Sequence, residues 1–124
     1  MIAKIKPTVG KVMQKTVLVT GASSGIGLCA AQTLRQRGYH VITTCRKQTD
    51  IQRLQELGFD TVALDLDDSD SVETAAQQIL ALCQGRLFGL FNNAGFGVYG
   101  PLNTVSRQQL ESQFSTNFFG VHQL

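Results

Sequence analysis

The sequence lacks the features that mark several large protein classes. None of its apolar runs approaches the roughly 18 residues that a membrane-spanning helix needs. The opening stretch, Met1 to Met13, has no long apolar core of the kind a secretory signal carries. Three cysteines, Cys29, Cys45 and Cys83, are odd in number and widely spaced, with no C-x-x-C pair. That pattern fits neither a disulfide framework nor a zinc site. It predicts three buried, reduced thiols and therefore a cytoplasmic setting. Charge is sparse as well: eleven Lys and Arg against nine Asp and Glu leave a formal +2. A balance so small and so evenly scattered argues against a nucleic-acid partner and against a membrane surface. His40 and His122 have no Cys, Asp or Glu companions at ligand spacing, so solvent or packing roles are expected and no metal is implied.

What is present suits a single compact domain. A chain of 124 residues, 43% of them apolar, can bury roughly two-thirds of its unfolded surface. Residues 1–14 read as a flexible lead-in, with Met13 a second candidate start, and residues 15–124 as one α/β unit. Short β-branched runs alternate with helical patterns. Strands are expected at Thr16–Thr20, Tyr39–Thr44, Thr61–Leu64 and Leu87–Phe91. Helices are expected at Ile26–Arg37, with Ile26, Ala30 and Leu34 on one stripe, and at Ile51–Leu57. A third should run from an N-cap among Asp68 to Asp70 through Leu82, and a last from a Ser106/Gln109 capping box on to Leu124. Gly38, Gly58 and Gly85 supply the stops. Strand, helix, glycine, strand is the rhythm of a parallel sheet, and right-handed crossovers put its strands in the order 3-2-1-4. The fold class is α/β, a Rossmann-type doubly wound sheet.

The first chemical feature sits where a strand ends and a helix begins: Thr20-Gly21-Ala22-Ser23-Ser24-Gly25-Ile26-Gly27. Free helix N–H groups and the positive end of the helix dipole make that place suited to a phosphate. Gly21 can take the tight turn, Gly25 leaves room for a pyrophosphate, and Gly27 allows close packing on the sheet. Ser23 and Ser24 add hydroxyl donors. The spacing G-x-x-x-G-x-G departs from the commonest dinucleotide fingerprint, and a plain glycine-rich turn is the alternative. No Gly-Lys-Ser/Thr follows, which disfavours a nucleotide-triphosphate loop.

Together with Asp65, Asn92-Asn93-Ala94-Gly95 and Asn117, this turn resembles the short-chain dehydrogenase/reductase family, over about Lys15 to Leu124. The stretch from Phe91 to Leu124 is similar more particularly to bacterial NADP-dependent aldehyde reductases, related to the 17β-hydroxysteroid and retinol dehydrogenase branch. The resemblance implies the N-terminal, cofactor-binding half of an oxidoreductase. Such an enzyme moves hydride between a nicotinamide cofactor and an aldehyde, ketone or alcohol, and its sheet would be incomplete here on the C-terminal side.

The cofactor form is read at the end of the second strand. An NAD enzyme usually places a carboxylate there to hold the ribose 2′-OH. Here the residues are Thr44-Cys45-Arg46-Lys47, with no carboxylate before Asp50. Arg46 can grip a 2′-phosphate through its planar fork of donors, which selects NADP(H); a solvated basic strand end is the alternative. The resemblance further implies that Asp65 and Leu66 hold the adenine, although Asp65 could equally serve as a helix N-terminal acid. It implies that Asn93, Ala94 and Gly95 meet the cofactor, a structural turn being the other reading.

Asn117 matches the family asparagine that supports a proton relay to a lysine. A tolerated polar residue inside a helix is the alternative there. Phe96, Val98 and Tyr99 line either an apolar substrate pocket or an ordinary loop.

One part of the family's machinery is missing from these residues. Its proton donor is a Tyr with a Lys four residues later, but Tyr39 and Tyr99 are followed at that distance by Thr43 and Asn103. Binding without turnover is therefore expected of the 124 residues alone, and a non-catalytic dinucleotide-binding module is the rival reading. A glycine-loop methyltransferase is a distant third. Family members often pair through the helix beginning near Ser106, so a homo-oligomer is implied for the full-length protein. A fourth strand with an open edge, and Leu110, Phe114 and Phe118 left uncovered, predict a marginal, aggregation-prone fragment.

Overall fold

The structure, a computed structural model, describes residues 14–124; nearly all of the expected lead-in lies outside the described residues. Strands β1 (Thr16–Val19), β2 (His40–Cys45), β3 (Asp60–Ala63) and β4 (Leu87–Phe91) form one parallel sheet in the order β3-β2-β1-β4. Helices α1 (Gly25–Gln36), α2 (Gln48–Glu56) and α3 (Ser69–Leu82) connect them. The 3-2-1-4 order expected from right-handed crossovers is thus observed.

Alternation along the strands feeds two cores. Val17 and Val19 face one side with Val41, Ile51, Leu54 and Phe59, under α1 and α2. Leu18 and Ile42 face the other with Val62, Val72, Ala75 and Ile79, under α3. β1 is buried along its whole length because it has strand neighbours on both edges and a core on each face. Among the described residues β4 pairs with β1 alone, and Phe88, Leu90 and Phe91 remain partly exposed along it.

Most element boundaries agree with the sequence reading to within a residue or so; α2 departs most, starting three residues earlier, at Gln48. Its first turn, Gln48-Thr49-Asp50, is polar and gives no apolar period to detect. In α1 the buried positions are Gly27 and Ala31, whereas Ile26 is 74% exposed. Of the expected stripe of Ile26, Ala30 and Leu34, only Leu34 packs against the core, and Ile26 points away from it. A Cβ on Gly27 would stand 2.5 Å from both the Asn93 amide nitrogen and the Gly21 carbonyl, so close approach, not side-chain size, selects the inward face. For the same reason Cys29 lies on the outer side and is exposed, correcting the expectation of three buried thiols; Cys45 and Cys83 are buried.

The last helix differs in its interior geometry. α4 (Arg107–Phe114) starts from the expected capping box, but Ser115–Gly120 is a π-helical turn and only Val121–Gln123 (α5) returns to α geometry. The wide turn satisfies two fixed contacts. Asn117 pairs with the backbone of Phe96, and Gly120 lies on the Leu66 carbonyl, where a Cβ would approach to 2.1 Å.

Candidate functional site

Every strand of a parallel sheet ends on the same side, and here the four carboxyl ends surround a cleft of about 330 Å³. Gly21, Ser23 and Ser24 line it from the β1–α1 turn, Arg46 from the end of β2, Asp65 and Leu66 from beyond β3, and Asn93, Ala94 and Gly95 from beyond β4. Phe96 borders it as well, so the structure brings together ten of the residues singled out from sequence, whereas Val98 and Tyr99 do not line the cleft. Ala22 is fully buried beneath the turn, and Gly27 is buried against the sheet. Gly25 and Ile26 open instead onto a shallow apolar groove along α1. Asn117 does not line the cleft, although its neighbour Thr116 does.

Hydrogen bonds fix the strand ends to one another. The buried Thr20 hydroxyl accepts from the backbone N–H groups of Asn93 and Ala94, each at 3.0 Å. In return the Asn93 side-chain amide donates to the carbonyls of Thr20 (3.0 Å) and Gly21 (3.1 Å). Ala22 N–H donates to the Thr44 carbonyl at 3.0 Å, tying the glycine turn to the end of β2. Each such bond contributes about 1 kcal/mol, and leaving one buried partner unpaired costs more. Gly21, at φ +64°, lies against Ala94, where a Cβ would stand 2.8 Å from the Ala94 Cα. This packing leaves no room for a side chain, and the conformation suits only glycine.

The amino end of α1 is left open. Its N-cap, Ser24, makes no side-chain capping bond, and its first turn holds no acidic residue. The N–H groups from Ser24 to Gly27 find no acceptor among the described residues. A Cβ on Gly25 would meet nothing within 4 Å. Free donors, the positive end of a dipole and empty space together make a site for an anion.

Around the cleft the remaining polar groups are mostly engaged. The Asp65 carboxylate accepts from Asp67 N–H at 3.0 Å, and its own N–H donates to the Ser71 hydroxyl. The helix cap proper is Asp68, which accepts from Asp70 N–H. Asn117 spends both ends of its amide on Phe96, donating to its carbonyl at 2.6 Å and accepting from its N–H at 3.0 Å. Burial pushes the Cys45 thiol above its ordinary value; the Asp50 charge adds to the rise and Arg53 opposes it. His40 bonds Asp60 at 2.6 Å and Thr16 at 3.0 Å, at the opposite end of the strands. No metal-holding group of three ligands occurs among the described residues, and none of their helices is long and apolar enough to cross a membrane.

Sequence reasoning did not assign cleft positions to Thr44, Cys45, Leu64 or Thr116. Thr44 and Cys45 flank Arg46 and share its strand end, so the same argument could have found them. Thr116 gives no local signal, because only the π turn brings it inward.

Known proteins agree with this geometry. The family model for the short chain dehydrogenases matches residues 15–124. The chain is 57% identical over 115 residues, 93% of its length, to the uncharacterized oxidoreductase YbbO of Escherichia coli K12, of which it covers 43%. It therefore spans less than half the length of the curated relatives it matches. A short-chain dehydrogenase from Streptomyces avermitilis superposes with a TM-score of 0.83 at 31% identity, over 92% of this chain and 43% of that one. The NADPH-bound carbonyl reductase from chicken fatty liver gives 0.81 at 30% identity, over 91% and 49%. With its sheet order and its glycine turn both in place, and the family's model running along it from Lys15 to its last residue, the chain belongs to the short chain dehydrogenase family.

Proposed function

We propose that the cleft is an NADP(H) site, and that the whole protein moves hydride between this cofactor and an aldehyde, ketone or alcohol. The observation that carries the reading is an open, acid-free amino end of α1 beside Arg46 at the end of β2. A 2′-phosphate would be repelled by a carboxylate there, whereas Arg46 offers a fork of donors. The first carboxylate downstream, Asp50, is already engaged by Arg53 at 3.0 Å. NADPH bound to the similar chicken carbonyl reductase supports both the cofactor form and a carbonyl substrate.

The residues present fit the group. Ser23, Ser24 and the free α1 donors would hold the phosphates, with Gly21, Ala22, Gly25, Ile26 and Gly27 shaping the turn. Asp65 and Leu66 would border the adenine, and Asn93, Ala94 and Gly95 the ribose and nicotinamide. When bound, the cofactor supplies or takes up the hydride, while the protein binds and orients. Asn117 would act from beneath by fixing the Gly95–Phe96 segment, with the relay role that the resemblance implies. Residues 15–124 form the cofactor-binding unit in this reading, in a cytoplasmic protein whose copies pair through the exposed face of Leu110, Phe114 and Phe118.

The test is Arg46→Asp, with NADPH and NADH affinities measured side by side. The preference should swing toward NADH by at least about tenfold, as befits the loss of a charge-assisted phosphate contact; an unchanged ratio would falsify the assignment.

A second reading rests on the tyrosines. Tyr39 and Tyr99 are not followed four residues later by lysine, so the 124 residues by themselves are proposed to bind the cofactor without turnover. NADPH binding with no carbonyl-dependent loss of its absorbance would bear that out. Measurable turnover would overturn it.

A further inference from the structure

Arg53 lies on α2, outside the cleft, yet it bridges two parts of it. Its guanidinium donates to the Ser23 carbonyl at 2.5 Å and to the Asp50 carboxylate at 3.0 Å, across a sequence separation of 30 residues in the first case. Ser23 belongs to the glycine turn, and Asp50 sits in the first turn of the helix that follows Arg46 and Lys47. A second tie runs alongside: Ala22 N–H donates to the Thr44 carbonyl at 3.0 Å. The two links close a ring, from Thr44 through Arg46 and α2 to Arg53, then to Ser23 and back through Ala22. Arg46 is exposed on that ring, and it lines the same cleft as Ser23.

We propose that Arg53 is a positioning residue for NADP(H) selectivity, holding Ser23 and Arg46 at the spacing a 2′-phosphate requires. A trans peptide points its C=O and the next N–H in opposite directions. Binding the Ser23 carbonyl from the α2 side therefore turns the Ser24 N–H away from α2. Asp50 keeps the guanidinium from swinging into solvent, and a fixed planar fork loses less freedom per bond than a flexible ammonium would. The charges of Asp50 and Arg53 are both felt at Cys45, which places them beside the same strand end. NADH shares the pyrophosphate but carries no 2′-phosphate, so its binding depends far less on the spacing between Ser23 and Arg46.

This inference rests on the reading of Arg46 as the 2′-phosphate clamp, and its test separates the two. Arg53 is half exposed, and α2 is anchored by the buried Ile51 and Leu54, so Arg53→Gln should leave the fold intact. Affinities for NADPH and NADH are measured by calorimetry on wild type, Arg53→Gln, Arg46→Ala and the double variant, in the protein at its natural length. Arg53→Gln should weaken NADPH about five- to tenfold, the scale of one charge-assisted bond, and NADH less than about twofold. In the Arg46→Ala background it should have little further effect, because the two residues serve one contact. Equal weakening of both cofactors, an unchanged NADPH affinity, or full additivity with Arg46→Ala would overturn the proposal. A flat response to Arg46→Ala itself would instead remove the clamp reading on which it stands.

Discussion

Two helix amino ends in this molecule are built for opposite purposes. At α4 the Ser106 hydroxyl accepts from Gln109 N–H, and the Gln109 side chain reaches back to Ser106 N–H at 2.8 Å. The end is closed by its own residues, as at α3, where Asp68 accepts from Asp70 N–H. At α1 a serine occupies the same N-cap position in extended backbone, yet it caps nothing, and no acid follows in the first turn. Capping would have stabilised α1 by about 1 kcal/mol. The fold leaves that stabilisation unused where an anion can take its place, and the glycines around it keep the approach clear.

Three substitutions probe this contrast. The largest effect belongs to Gly27→Val, since even a Cβ would stand 2.5 Å from the Asn93 amide and the Gly21 carbonyl. It should destabilise by about 3 kcal/mol and abolish cofactor binding, as read from a denaturant melt and a titration; wild-type stability would break the account of why α1 docks on its glycine face. Next comes Ser24→Asp, which converts the open end into a capped one. NADPH affinity should fall more than about tenfold while thermal stability holds or rises by about 0.5 kcal/mol. Retained affinity would mean that phosphate does not bind at this helix end. The smallest is Ser106→Ala, expected to cost about 1 kcal/mol of stability with no change in NADPH affinity. A drop in affinity there would mean the two ends are not independent.

Much of the fold was legible because its signals are local. β1 and β2 are short β-branched runs buried on both faces, and Gly38 and Gly58 stop their helices at φ +88° and +86°. The capping box of α4 could be read directly from Ser106 and Gln109. What escaped local reading depends on contacts between distant residues. The π turn exists to meet Phe96 and Leu66, and nothing in Ser115 to Gly120 announces it. The docking face of α1 follows from what Gly27 touches, not from where Ile26 falls on the helix. Within the candidate site, the strand-end residues were legible from the motif and its resemblance. Arg53 was not, because its partner Ser23 lies on another element and the bond joins two exposed surfaces.

The same contrast explains where the chain is secure and where it is bare. The glycine turn is locked through Thr20 and Asn93 to two strands, whereas Phe114 and Phe118 on the far helix are 57% and 60% exposed. Apolar surface on that scale favours association.

Whether Arg46 selects the phosphorylated cofactor is decided by a calorimetric comparison of NADPH and NADH binding to the wild-type protein. NADPH should bind at least about tenfold more tightly, through one added charge-assisted contact at Arg46. Equal affinities, or a preference for NADH, would contradict it.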